Sequence, residues 1–372
     1  MLSAAFTALT SLICANVAVA RMSHMSPLQR SHSSVLSPEI PERGPSHVPS
    51  SPGCGADIGW PLYNSTINVT TTVGVHERSY LVHIPKDYDH TVAHPVVLSF
   101  HGYGKTAGHQ EVASQLSEPN NTINGVPIIA AYPQGLQGIG RSGDGSDGKY
   151  SWQAAAYALP NASDIEFTHT ILNDLSANLC IDTTRVYATG NSNGGGFVSG
   201  LSVRSKPQSS SFLAQTNKLA CEPRTNVRFA AFGIASGAIY PDAEPDDDCK
   251  PQRKVPVLIA HGTDDDVVPY KGEHIDDPDW ASPNIDDFAT GWATRNGFGA
   301  DAHQDSGMLP NTTMWVWGED GDAGQVKRFK IEGMHHQWPS TVVSLDKRHK
   351  VAPFNLTGLE LLPFFERYAL PL

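Results

Sequence analysis

Short, nearly continuous apolar runs alternate with helical stretches along the chain. Val96-Val97-Leu98-Ser99-Phe100 and Val257-Leu258-Ile259-Ala260 are apolar at almost every position, the pattern of strands covered on both faces of a parallel sheet. Strands are expected at Tyr80–Ile84, Val96–Phe100, Pro127–Ala131, Arg185–Thr189, Phe229–Ile234, Val255–Ala260 and Val326–Ile331. Ser163-x-x-Glu166 has the form of a capping box and opens a helix over 165–179. Phe167, Ile171, Leu172, Leu175 and Leu179 recur on one face of that helix. A second helix is expected after Gly194, and a third around Phe288 and Trp292. The alternation predicts an α/β fold, a mostly parallel central sheet with helices on both faces.

The amino-terminal region breaks this pattern. Residues 1–20 carry no charged side chain and end in Ala18-Val19-Ala20, which reads as a signal peptide cleaved after Ala20. Residues 21–53, rich in Ser, Pro, His and Arg, read as a leader or linker. The catalytic domain is expected to span 54–372. Its 40 % hydrophobic content allows a sizeable core, and a formal net charge of −12 argues against nucleic acid or an anionic membrane as main partners. Cys14 would leave with the signal peptide. Cys54, Cys180, Cys221 and Cys249 then remain, with three possible pairings and no metal-binding spacing, so disulfides are expected. Asn64, Asn68, Asn120, Asn161, Asn311 and Asn355 stand in glycosylation sequons. No cofactor or metal is expected, and the expected state is a monomer.

The chemistry concentrates at Gly190-Asn191-Ser192-Asn193-Gly194, a G-x-S-x-G between a predicted strand and a predicted helix. In that setting the serine sits on a sharp turn at the sheet's carboxyl edge, where it can act as nucleophile. It requires a base, and His335-His336 follows the last predicted strand; either histidine could serve. The base requires a carboxylate to fix its tautomer. Asp264-Asp265-Asp266 follows the strand ending at Ala260, and the local sequence leaves the choice among the three open. The chain order, serine then acid then histidine, is that of α/β-hydrolases rather than of chymotrypsin-like or subtilisin-like proteases. Backbone N–H groups of Asn193 and Tyr103 are the candidates for an oxyanion hole, and His101 reads as structural. Gly104-Lys105-Thr106 lacks the preceding glycine of a phosphate loop. Gly138-x-Gly140-x-x-Gly143 opens no helix and reads as a mobile loop near the site.

Several segments together resemble one family. They are Gly53-Cys54-Gly55, Leu98-Ser99-Phe100-His101-Gly102 with Gly104-Lys105-Thr106-Ala107, Tyr132-Pro133-Gln134-Gly135, Ser151-Trp152-Gln153, Cys180-Ile181-Asp182, Ser192-Asn193-Gly194-Gly195-Gly196-Phe197, Ser236-Gly237, His261-Gly262-Thr263 through Pro269-Tyr270, Trp338-Pro339-Ser340 and Phe364-Phe365. With these the chain resembles the fungal feruloyl esterases of types C and D, relatives of polyhydroxybutyrate depolymerase-like and acetylxylan esterases. The resemblance implies an α/β-hydrolase fold. It puts the acid on Asp265 through H-G-T-x-D and the base on His336 through G-H-x-W-P, with His335 at the usual glycine. It also implies hydrolysis of hydroxycinnamic esters on plant cell-wall arabinoxylan, with acetylxylan or short hydroxybutyrate polyesters as the alternative substrates. Trp152 and Trp338 become candidate walls of an aromatic acyl pocket, with core packing as the competing role. Order along the chain favours pairing Cys54 with Cys180 and Cys221 with Cys249. The sequence departs from the family at Phe298 and Glu319, where cysteines often stand, which implies one lost disulfide. Asn191 and Gln337 are milder departures, bearing on rate or pH optimum.

Overall fold

The computed structural model describes residues 49–56, 60, 65–153, 155–199, 227–239, 251, 253–272, 282–306, 308–319, 321–342 and 351–371. All of them belong to one compact unit, His47–Leu372. The expected signal peptide, most of the leader, Cys221, Cys249 and Asn64 lie outside the described residues.

The main sheet is built from β1 (Ser65–Val73), β2 (His76–Ile84), β3 (His94–Phe100), β4 (Ile129–Pro133), β5 (Ile181–Asn191), β6 (Ala231–Ala235), β7 (Val257–Gly262), β8 (His303–Ser306), β9 (Thr312–Trp317) and β10 (Val326–Ile331). Their spatial order is β1-β2-β4-β3-β5-β6-β7-β10-β9-β8. The pairs from β4 through β3, β5, β6 and β7 to β10 are parallel. An antiparallel hairpin closes each end of this parallel block. Among the parallel strands, β6 and β7 are apolar at most positions, whereas β10, Val-Lys-Arg-Phe-Lys-Ile, is buried along with its Lys327 and Arg328. Three outer strands, β1, β8 and β9, escaped the reading because sequences such as Ser-Thr-Ile-Asn-Val-Thr-Thr-Thr-Val need bury only one face at a sheet edge.

Successive side chains on a strand point to opposite faces, and the sheet therefore carries two cores. Val96, Leu98 and Phe100 of β3 face a layer containing α2 (Asp164–Asn178) and α4 (Ile285–Arg295). Val97 faces the opposite layer, with α1 (Ala107–Ser114) and the carboxyl-terminal α5 (Leu362–Glu366), which follows a π-helical turn at Thr357–Leu361. One residue, Ser192, separates β5 from α3 (Asn193–Ser199), whose Phe197 and Val198 join the first of these cores. Ser163 caps α2 as the capping box required, accepting from Glu166 N–H at 3.1 Å. Thr106, in the segment that mimicked a phosphate loop, instead caps α1 through His109 N–H at 3.2 Å. The glycine-rich loop closes on itself, with the one hydroxyl of Ser142 shared between Asp144 Oδ1 and Asp147 Oδ1, each 2.6 Å from Oγ.

Cys54 and Cys180 form a disulfide. Residues 49–53, read from sequence as the end of the linker, are part of the folded unit. Ser51 N–H donates to Ile181 O at 3.0 Å, Ser51 Oγ to Leu179 O at 2.6 Å, and Ser50 pairs with Asp182. The linker boundary therefore moves to before Pro49: backbone hydrogen bonds to β5, which have no signature in composition, hold the segment. The disulfide closes a loop with a sequence separation of 126. Replacing both cysteines by serine should lower stability by about 2–5 kcal/mol, measurable as a lower unfolding midpoint with the secondary structure retained.

Of the two departures from the resemblance, Phe298 and Glu319, Phe298 packs against Gly318. The Phe298 ring lies so close to Gly318 that a Cβ there would meet it at 2.6 Å. Lys254 Nζ sits over the same ring, 5.2 Å from its centroid.

Candidate active site

The strand β5 delivers its last residue, Asn191, to the carboxyl edge of the sheet, and α3 starts two residues later. Ser192 alone makes that turn, at φ 54°, a left-handed conformation that costs a non-glycine residue energy and survives only where the surroundings impose it. Those surroundings are explicit. Ser192 N–H donates to Ala235 O at 3.1 Å, and Ser192 O accepts from Gly196 at 2.8 Å and Ala238 at 2.9 Å. The flanking glycines are required by contact. A Cβ on Gly190 would meet Gly194 C at 2.5 Å, and one on Gly194 would meet Phe100 O at 2.3 Å. Backbone atoms cannot yield at those distances. Gly194→Ala should therefore force the elbow off β3, costing about 1–3 kcal/mol or more and most of the activity. Thermal unfolding and single-turnover acylation would check both.

His336 Nε2 lies 2.8 Å from Ser192 Oγ, and His336 Nδ1 lies 2.9 Å from Asp265 Oδ2 and 3.1 Å from Oδ1. An ionised carboxylate only accepts, so Nδ1 carries the proton and Nε2 is left to receive one from the serine. The loop after β7 separates the three aspartates physically: Asp264 and Asp266 are exposed, whereas Asp265 is 5 % exposed. Asp265 Oδ1 also accepts from Val267 N–H at 3.0 Å and Val268 N–H at 2.7 Å. Burial by itself would raise the Asp265 pKa, but hydrogen bonds from His261 and His336 outweigh it and hold the carboxyl well below the usual carboxylate range. Of the two adjacent histidines, His335 is exposed and His336 faces the serine.

The loop after β3 passes directly over the nucleophile, since a Cβ on Gly102 would lie 3.1 Å from Ser192 Cβ. His101 fixes this loop from below. Its Nδ1–H donates to Gly102 O at 2.8 Å, and its Nε2 accepts from Gly135 N–H at 2.9 Å. Burial pushes the His101 pKa down to about 4, which suits this neutral tautomer. Trp152 is fully buried, the core-packing alternative of its two expected roles. Its indole N–H donates to His101 O at 2.7 Å, its backbone N–H donates to Asn193 Oδ1 at 2.8 Å, and its ring stacks on Phe197. It thus braces both segments expected to bear the oxyanion donors. Trp338 is likewise core, 4 % exposed among Met334, Phe354 and Leu356. Apolar aromatics at either role look identical in sequence, and only burial separates them.

Other positioning residues had no sequence signal of their own. Ser236, at φ 43°, donates from Oγ to Gln337 O at 2.8 Å, next to the base. Buried Arg78 pairs with Asp164 at 2.7 Å, and Asp164 in turn accepts from Gln153 N–H at 2.7 Å, beside Trp152. A cavity of about 490 Å³, lined in part by Leu172, Ile181, Val186 and Arg228, opens at the opposite end of β5 and lies apart from the triad.

A parallel sheet with helices on both faces, a serine elbow after β5, an acid after β7 and a histidine after β10 define an α/β-hydrolase. Among proteins of recorded function, the chain is similar to fungal feruloyl esterases. It is 26 % identical over 199 residues to feruloyl esterase B of Piromyces equi, covering 52 % of this chain and 30 % of that one. It is 25 % identical to a probable feruloyl esterase C of Aspergillus niger, covering 61 % and 66 %, and 28 % identical to feruloyl esterase D of Neurospora crassa, covering 59 % and 63 %. The chain therefore spans less than two thirds of the length of each of these relatives. No known protein-family profile matches it. Among solved structures, a thermostable esterase aligns with a TM-score of 0.48 at 16 % identity, over 82 % of this chain and 63 % of that one.

Proposed function

We propose that this chain is a secreted serine carboxylic-ester hydrolase that releases hydroxycinnamic acids from feruloylated plant cell-wall arabinoxylan. The observation that carries the reaction class is the unbroken hydrogen-bonded chain Ser192–His336–Asp265 at the end of the sheet. Support for the substrate class comes from the relatives, which bear the name feruloyl esterase. The Cys54–Cys180 disulfide suits an oxidising, extracellular setting, as do the exposed sequon residues Asn68, Asn120, Asn161 and Asn311.

In this reading Ser192 Oγ attacks the ester carbonyl as His336 Nε2 takes its proton. The N–H groups of Asn193 and Tyr103 receive the oxyanion. His336 returns the proton to the sugar hydroxyl as it leaves. Water, activated by the same imidazole, then frees the acid from Ser192. Asp265 stays ionised throughout and stabilises the imidazolium.

A panel of methyl ferulate, acetylated xylan and hydroxybutyrate oligomers tests the substrate. Ferulate release should exceed acetate and hydroxybutyrate release in kcat/KM. Acetate release without ferulate release would overturn the hydroxycinnamate assignment, and failure of a fluorophosphonate to label Ser192 would overturn the reaction class.

A further inference from the structure

The triad acid is shared by two imidazoles. Besides His336, His261 approaches Asp265 Oδ2 with its Nε2 at 3.1 Å. The same Nε2 lies 2.8 Å from Val268 O. Both neighbours are acceptors, so Nε2 carries a proton and splits it between them. The ring is 1 % exposed, and its Nδ1 is buried without a partner among the described residues. An N–H at Nδ1 would have no acceptor among the described residues, so the ring meets both of its acceptors through Nε2–H. Tyr270 meets it edge-on at 5.9 Å. His261 ends no catalytic motif by sequence; it lies four residues before Asp265 and converges on it because the chain turns sharply as it leaves β7.

We infer that His261 is a positioning residue that holds Asp265 from behind and, by sharing Oδ2 with His336, tempers the carboxylate's attraction for the protonated base. The inference rests on Ser192 and His336 being nucleophile and base. Its physical content is a competition. Each N–H on Oδ2 takes part of that oxygen's negative charge, and what His261 takes is not available to a protonated His336. The sharing thus keeps His336 free to act as a base in more acidic medium. The other charged and titratable groups around the pair are Asp264 and Asp266 on the same loop and His335 beside the base. Behind His261 stand Tyr270, with Asp286 at its hydroxyl and Arg328 paired to Asp286, Lys330 5.6 Å over the Tyr270 ring, and Glu332 paired with Lys330. Substituting His261 leaves all of them in place.

The test is the pH dependence of the rate at which a fluorophosphonate inactivates the full chain, which reads Ser192 and His336 without reference to any natural ester. His261→Phe keeps a ring against Tyr270 and removes the donor. Its acid limb should move up by roughly one pH unit. His261→Asn, whose shorter amide cannot reach Oδ2, should move the same way and serves if the phenylalanine variant does not fold. His261→Gln restores two N–H groups near the Nε2 position, one for each acceptor, and should keep the wild-type limb. An unmoved or lower limb in a folded His261→Phe or His261→Asn, or an equal shift in His261→Gln, would overturn the inference while leaving the hydrolase reading intact. Absence of labelling in the wild type would overturn both.

Discussion

Replacing Ser192 with alanine should lower kcat on methyl ferulate by roughly four orders of magnitude or more while the protein remains folded. The loss follows from what the hydroxyl alone supplies. Among the described residues, His336 Nε2 has Ser192 Oγ as its side-chain partner, at 2.8 Å, and that oxygen is the one that forms the acyl-enzyme. The fold survives for an equally local reason. Alanine keeps the Cβ, so the φ of 54° carries the same steric cost as in serine. The backbone bonds to Ala235, Gly196 and Ala238 that impose the turn do not involve the hydroxyl. Steady-state kinetics beside a thermal melt would check it. A folded variant with turnover within ten-fold of wild type would remove Ser192 from the mechanism.

Asp265→Asn should be nearly as damaging, with kcat down roughly 10⁴-fold, and for a different reason. Asp265 accepts hydrogen bonds on both oxygens, from Val267 and Val268 N–H on Oδ1 and from His336 and His261 on Oδ2. The backbone amides cannot become acceptors, so the asparagine oxygen must stay with them. Its NH₂ then faces the two imidazoles. His261 Nε2 is held as a donor by Val268 O, and His336 meets the new donor by moving its proton from Nδ1 to Nε2. A protonated Nε2 cannot deprotonate Ser192. The matched controls are Asp264→Asn and Asp266→Asn, which alter exposed carboxylates and should leave kcat within a few-fold of wild type. Equal losses across the three variants would point to the acidity of the loop rather than to one carboxylate.

Those controls address the point at which residue-by-residue reading stalls. Three adjacent aspartates have the same local chemistry, as do His335 and His336, and the family pattern rather than the residues themselves distinguished them. The structure distinguishes them by burial and distance. Trp152 is a similar case. Its sequence left a pocket wall and core packing both open, and it is fully buried, its two N–H groups tying down His101 and Asn193. His261 was legible as part of H-G-T but not as a partner of Asp265, because a hydrogen bond from the end of β7 to a residue four further on depends on how the chain turns as it leaves the strand.

What the sequence determined alone is what short-range physics encodes. Apolar runs long enough to be buried on both faces specify the parallel strands, Ser163 with Glu166 specifies where α2 begins, and Gly190 and Gly194 permit a turn too tight for any side chain. The convergence of Ser192, Asp265 and His336 belongs to the tertiary structure. Asp265 is 71 residues from His336 and His336 is 144 from Ser192 along the chain. They meet only because β5, β7 and β10 run parallel in one sheet and end at the same edge. The choice of one carboxylate among three likewise depends on which is desolvated and paired there, a property of the surroundings and not of the residue.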